Sequence, residues 1–299
     1  MNDVLFTQPR QLPRRRFYRL KRAFWSLAST VSLGGLYAGH LCPTWVRVDR
    51  LEMPLNDLAE PFVGRKLVHI SDLHCSPMVV PRYLRQVLDR VAAEEPDVLV
   101  ITGDLVTGGT AYARRVAGML ASVPAKVARV ACLGNHDYGI YHPSGRGHMR
   151  QLSGYLTGQL HQAGVQVLRN QSLTVHLDGH ALQVVGVEDA WSGRYDPETA
   201  FADARAGMPT IGLTHNPDGA ADLVERGAHW VLAGHTHGNK AGDSALRDAV
   251  LPVESEVYAG GYYSLDGAHL YVNRGLSYAR RLNLNKRPEI TVFTLQRAS

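Results

Sequence analysis

From Lys66 onward, short apolar runs recur along the chain, and several end abruptly in polar residues. They are "KLVHISDLH" (66–74), "DVLVITGDL" (97–105), "VARVACLGNHD" (127–137), "PTIGLTHNPD" (209–218) and "HWVLAGHTH" (229–237). Continuous apolar stretches bounded by turn residues predict strands buried on both faces. Between the first three runs the spacing changes. Leu84, Val87, Leu88 and Val91 follow the i, i+3, i+4, i+7 pattern of a helix face, and Pro81 suits a first helical turn. Val116, Met119 and Leu120 form a shorter stripe; Leu152, Tyr155, Leu156 and Leu160 form a third. Farther on, "QVLRNQSLTVHLDGHALQVVGVED" predicts consecutive strands turning at "LDGH", and "HLYVNRGL" and "PEITVFTL" predict two more. The order predicts an α/β fold of two packed β-sheets flanked by helices, four layers in one domain over residues 60–299.

In such sheets ligands collect beyond the carboxyl ends of the strands. Five strand ends would bring Asp72, His74, Asp104, Asn135, His136, His215, His235 and His237 to one place. Taken alone, "GHTH" reads equally well as a polar turn. Its two histidines are i and i+2, however, and on extended backbone they point to the same side. Two carboxylates, an amide and several imidazoles are unfavourable to bury without positive charge between them. Their donor atoms suit divalent Mn, Fe, Zn or Co, and the lack of cysteine ligands argues against a structural zinc site. Cys75 is expected to point away from His74, and Cys132 to be a core residue. His69 reads as a core histidine. Glu188, Asp189, Trp191 and Arg194, in "GVEDAWSGR", follow a strand and are candidates for a pocket wall.

Charge separates the chain into arm and body. Of the 299 residues, the first 22 hold seven basic side chains against the single acid Asp3, a net +6, which leaves the remainder at −1. The body is therefore no nucleic-acid platform, and no protein partner is indicated. Residues 23–46 contain no Asp, Glu, Lys or Arg. That run reaches the ~20 residues needed to cross a bilayer, with Trp25 and Trp45 near its ends. Three readings fit it: an inner-membrane span with the body outside the cytoplasm, a twin-arginine-like export signal around "RRRFYR" (14–19), or an anchor lying flat in the interface. The bland alternative is a buried helix.

The ordered motifs D-x-H, G-D, G-N-H-D, a single His and G-H-x-H together resemble the calcineurin-like metallophosphoesterase family, from about Lys66 to the C-terminus. The ending "LYVNRGL…KRPEI" and the apolar arm resemble its membrane-associated bacterial branch. The resemblance implies two divalent transition-metal ions, Mn²⁺ foremost and Zn²⁺ or Fe as alternatives. Asp72, His74 and His237 would hold one ion, Asn135, His215 and His235 the other, and Asp104 would bridge them. His136 would be the general acid and Asp137 would orient it or its loop. The activity implied is hydrolysis of a phosphoester or phosphoanhydride by a hydroxide held between the ions. The substrate would be lipid-linked, such as UDP-2,3-diacylglucosamine; alternatives are a generic phosphodiesterase and a non-catalytic metal-stabilised scaffold. Arg194, Asn239 and Arg274 are candidate substrate contacts. The chain departs from the family pattern at Thr107, where a further Asp is common, and at Asn239-Lys240, where the branch usually has Gly-Gln.

Overall fold

In the strands, successive apolar residues serve different layers. In β2 (Lys66–Ile70) Leu67 faces the other sheet while Val68 and Ile70 face helices; in β3 (Val98–Thr102) Val98 and Val100 face inward while Leu99 and Ile101 face outward. β4 (Ala128–Cys132) divides its residues likewise, with Val130 and Cys132 inward and Ala131 outward. This double burial is why the runs are apolar throughout instead of alternating. The computed structural model describes residues 45–142, 149, 151–239, 257–278 and 287–298. The basic arm, nearly all of the apolar segment and Lys240 lie outside them. No described helix is long and apolar enough to cross a membrane.

One sheet has the order β1 (Arg47–Leu55), β12 (Glu289–Arg297), β2, β3, β4, β5 (Gln166–Val167). The second has the order β10 (Gly261–Leu265), β11 (Ala268–Val272), β9 (Trp230–Ala233), β8 (Thr210–Leu213), β7 (His180–Gly186), β6 (Gln171–Leu177). β2, β3, β4 and β5 run parallel, as do β7, β8, β9 and β11. Helices α1 (Pro81–Ala93), α2 (Thr110–Ala121) and α3 (Leu152–Gln162) cover the first sheet; α4 (Pro197–Phe201) and α5 (Ala220–Glu225) cover the second. The inter-sheet core joins Leu67, Val98, Val100 and Phe293 to Leu182, Val184, Ile211 and Leu232. Trp230 ties the layers further, its Nε1 donating to the Pro54 carbonyl at 2.8 Å.

The predicted helix stripes and the Asp178-Gly179 turn are all present. The sheet, however, begins at Arg47, ahead of the boundary expected at residue 60. β1 pairs with β12 in register from Arg47↔Glu289 to Leu55↔Arg297. Only Met53 and Leu55 of β1 are buried. Its Arg47, Asp49, Arg50 and Glu52 broke the apolar run by which the other strands are recognised. Cys75 and Cys132 are buried free thiols, and burial raises both pKa values, that of Cys75 to about 12.

Candidate metal centre

Each candidate ligand sits immediately beyond a strand, where the backbone turns sharply. Asp72, His74, Asp104, His235 and His237 all have positive φ, between 46° and 72°, and are half of the ten such non-glycine residues described. That conformation costs an L-residue roughly 1–2 kcal/mol. Its concentration here marks a site where the fold holds strained backbone for a purpose. The turns also approach one another too closely for side chains. A Cβ on Gly134 would lie 2.4 Å from Asp104 Oδ1, and one on Gly234 would lie 1.9 Å from Ser71 Oγ and 2.6 Å from Asp72 Oδ2.

The result is a buried cluster. His237 Nε2 is 3.2 Å from Asp72 Oδ1 and 3.1 Å from His74 Nε2. His74 Nε2 is also 3.4 Å from Asp104 Oδ2, while the other oxygen, Oδ1, lies 3.4 Å from His215 Nε2. Asp104 thus turns one oxygen toward each histidine group. His215 Nε2 in turn lies 3.3 Å from His235 Nδ1. Within this cluster Asp72, His74 and His237 make one set of close potential ligand atoms, and Asp72, Asp104 and His215 another.

Outer partners aim the imidazoles. His215 Nδ1 lies 2.8 Å from the Thr102 carbonyl. A carbonyl only accepts, so Nδ1 carries the proton and Nε2 presents its lone pair, a tautomer assigned from the partner. That lone pair faces a carboxylate oxygen, so a proton or a cation is needed between them. His74 Nδ1 meets Thr107 Oγ1 at 2.9 Å. Thr107, the departure from the family pattern, is therefore the residue that orients His74. Asn135 Nδ2 donates to the Ile140 carbonyl at 2.7 Å, and Asn135 Oδ1 and His235 Nε2 are buried with no hydrogen-bond partner. These bare acceptors and opposed lone pairs fit divalent cations.

Electrostatics agree with that fit. Burial opposes ionisation of Asp72, but His237 and then His74 outweigh it and hold its carboxyl well below the usual range. Burial likewise opposes ionisation of Asp104, and His215, His136 and His74 overcome it. Burial would lower the pKa of His215, yet Asp104 raises it well above the ordinary value. Burial and the neighbouring His215 push that of His235 down to about 3. Two carboxylates thus draw positive charge onto whichever neighbour can carry it.

His136 reaches the same cluster. Its backbone N–H donates to Asp104 Oδ1 at 2.9 Å, its Nε2 is 3.9 Å from Asp104 Oδ2, and its ring stands edge-on to His74 at 4.9 Å. Asp137 holds the loop: its carboxylate accepts from the Val106 and Gly134 N–H groups, both at 3.0 Å. Burial, reinforced by Asp104, pushes the pKa of Asp137 up to about 8.

The expected substrate contacts are engaged within the fold or exposed. Arg274 ion-pairs with the buried Glu289 and approaches Asp49 at 3.8 Å. Asn239 Nδ2 turns back onto the Thr236 and His237 carbonyls, at 3.2 and 3.3 Å. Arg194 is exposed, and the bonds seen for it are made by its backbone, to Asn170 and Ser192. Of the suggested pocket wall, Trp191 does reach the cluster, edge-on to His235 at 5.0 Å. A further triad was not foreseen: Tyr138 Oη donates to Glu188 Oε2 at 2.9 Å and Arg169 Nε to Glu188 Oε1 at 2.7 Å, tying the His136 turn to the second sheet.

Residues 65–239 match the model of the calcineurin-like phosphoesterase family. The chain belongs to this family. As a calcineurin-like phosphoesterase it is a metal-dependent hydrolase, and the family together with the buried His/Asp cluster points to a dinuclear divalent metal site. The Bacillus subtilis metallophosphoesterase YkuE is 30% identical over 294 residues, covering 96% of this chain and 99% of its own length. Phosphodiesterase YaeI of Escherichia coli is 29% identical, covering 95% of this phosphoesterase and 99% of itself. UDP-2,3-diacylglucosamine pyrophosphatase LpxG of Chlamydia muridarum is 28% identical, covering 90% and 98%.

Proposed function

We propose that this phosphoesterase hydrolyses a lipid-linked phosphoester or phosphoanhydride, with UDP-2,3-diacylglucosamine as the leading substrate, using two divalent ions, Mn²⁺ foremost. The observation that carries the hydrolytic reading is the set of buried acceptors around Asp104, whose two oxygens face separate histidine groups. The activity named for the Chlamydia relative and the apolar stretch 23–46 support the lipid. Asp72, His74 and His237 would hold one ion, Asn135, His215 and His235 the other, with Asp104 between. When bound, the ions lower the pKa of a coordinated water and neutralise charge on the phosphoryl oxygens.

The chain's own side chains do the rest. Thr107 and the Thr102 carbonyl fix which nitrogen His74 and His215 present. His136 donates a proton to the departing oxygen, from a turn braced by Asp137 and by the Tyr138–Glu188 bond. The test is hydrolysis by the full-length chain with added Mn²⁺, comparing UDP-2,3-diacylglucosamine in mixed micelles with a soluble aryl diester. A clear preference for the glycolipid supports the substrate. Turnover of the diester alone leaves a phosphodiesterase of the kind named for the Escherichia coli relative, and turnover of neither overturns the hydrolytic reading.

A further inference from the structure

The topology fixes where the apolar stretch joins the body. β1 is parallel to β12, and β12 is antiparallel to β2. Arg47 therefore lies at the end of the sheet where β2 delivers Asp72. Local contacts agree: Arg47 N–H donates to the Pro288 carbonyl, Glu289 N–H to the Gly275 carbonyl, and a Cβ on Gly275 would lie 2.6 Å from Asp72 Cβ. The uncharged sequence 23–46 thus enters the domain at its metal-cluster end.

The same end carries exposed apolar side chains on the side of the first sheet. Met78 is 57% exposed, Tyr141 40% and Met149 42%. They belong to neighbouring loops: Cys75 forms a bridge with Val106, and a Cβ on Gly108 would meet Tyr141 Oη at 2.4 Å and Met149 Sδ at 3.9 Å. Tyr141 also leans on His136, ring centroids 4.9 Å apart. Behind these loops stand the first turns of α1 and the N-terminal half of α2, with Arg82, Arg85, Arg114 and Arg115 exposed. α2 contains no acid, and the single acid of α1, Asp89, lies in its second half. At the opposite end of the strands the exposed charges are mixed in sign, Asp57, Glu95, Asp178 and Asp266 beside Lys126, Arg205, Arg226 and Arg297. On the second-sheet side, the cluster end carries the acids Asp196, Glu198 and Asp218 against Arg194, so the basic patch lies on one side of the cluster.

An apolar fringe backed by arginines, beside the entry of a long uncharged segment, matches the chemistry of an anionic lipid surface. We propose that the first-sheet side of the cluster end docks on an anionic bilayer, with Met78, Tyr141 and Met149 at headgroup depth and the four arginines over the lipid phosphates. The metal cluster then faces along the lipid surface, and the end of mixed charge points away. The inference rests on the reading that residues 23–46 enter the membrane.

The test uses the full chain on vesicles of phosphatidylglycerol and phosphatidylcholine. Cys42 is replaced by Ser, and a fluorophore is placed through Met78→Cys or, as the far-end control, Asp178→Cys; the remaining cysteines are buried. Headgroup nitroxide lipid should quench the label at 78 and spare the label at 178. The variant R82E/R85E/R114E/R115E should lose most of that quenching while its turnover of a soluble diester is unchanged. Equal quenching at both positions, or none at either on vesicles that carry the protein, would overturn the docking face alone. Quenching that persists in the four-arginine variant would overturn the anionic surface as its partner. A chain that fails to float with vesicles would overturn the anchor reading and the docking face with it; none of these results touches the hydrolytic reading.

Discussion

At the residue scale, the proposed function separates side chains that would hold ions from one that would handle a proton. Asp104→Ala removes a carboxylate whose two oxygens face separate histidine groups, so calorimetric titration with Mn²⁺ should show loss of tight binding at both sites. Two tightly held ions in that variant would refute the bridging role. His136→Ala should keep its metal content and lose turnover by ~10²–10⁴-fold. The loss should shrink for leaving groups that need no protonation, measured on a series of aryl diesters. The clustering of these side chains was legible in the sequence because each follows an apolar run, at the strand ends where the fold class gathers ligands. The partners that aim them were not. Thr107 looked like a departure until its hydroxyl was seen at His74, and the Tyr138–Glu188–Arg169 triad joins positions that form no local motif.

At the scale of elements, the tight turns after the strands make specific demands. Gly234→Ala would drive a methyl into Ser71 and Asp72, and metal binding should fall more than thermal stability does. Arg274→Met should act in the opposite sense. With the buried Glu289 deprived of its cation and left only the Tyr271 and Thr291 hydroxyls, stability should drop by ~3 kcal/mol in urea titration, with KM for a soluble diester little changed; a selective rise in KM would make Arg274 a substrate contact. Between the sheets, His69 is fully buried with Nε2 on Thr102 Oγ1, and burial depresses its pKa from 6.5 to about 3. The unfolded chain then binds the extra proton first. The contribution is intact above pH 6.5 and is lost as pH falls, ~2 kcal/mol by pH 5. His69→Gln should flatten that part of the pH–stability curve. The strands and helices were readable from period and run length. β1 was not, because charged residues interrupt both of its faces and its hydrogen-bonding partner lies far along the chain.

On the scale of the whole molecule, the apolar segment and the catalytic body are separable in principle. A fragment beginning at Trp45, which keeps all of β1, should bind Mn²⁺ and cleave soluble diesters like the full chain, yet act more slowly on bilayer-embedded lipid. Equal rates on the bilayer would reduce the first 44 residues to an address. The sheet order has one more consequence. β12 lies between β1 and β2, although it follows β1 by roughly 240 residues. While the chain is being translated, β1 has no neighbour to pair with and β2 keeps one edge bare until the last strand leaves the ribosome. The nascent polypeptide must therefore be shielded for most of its synthesis, and a message truncated before the codon for Glu289 would yield no half-active enzyme, only a substrate for proteases.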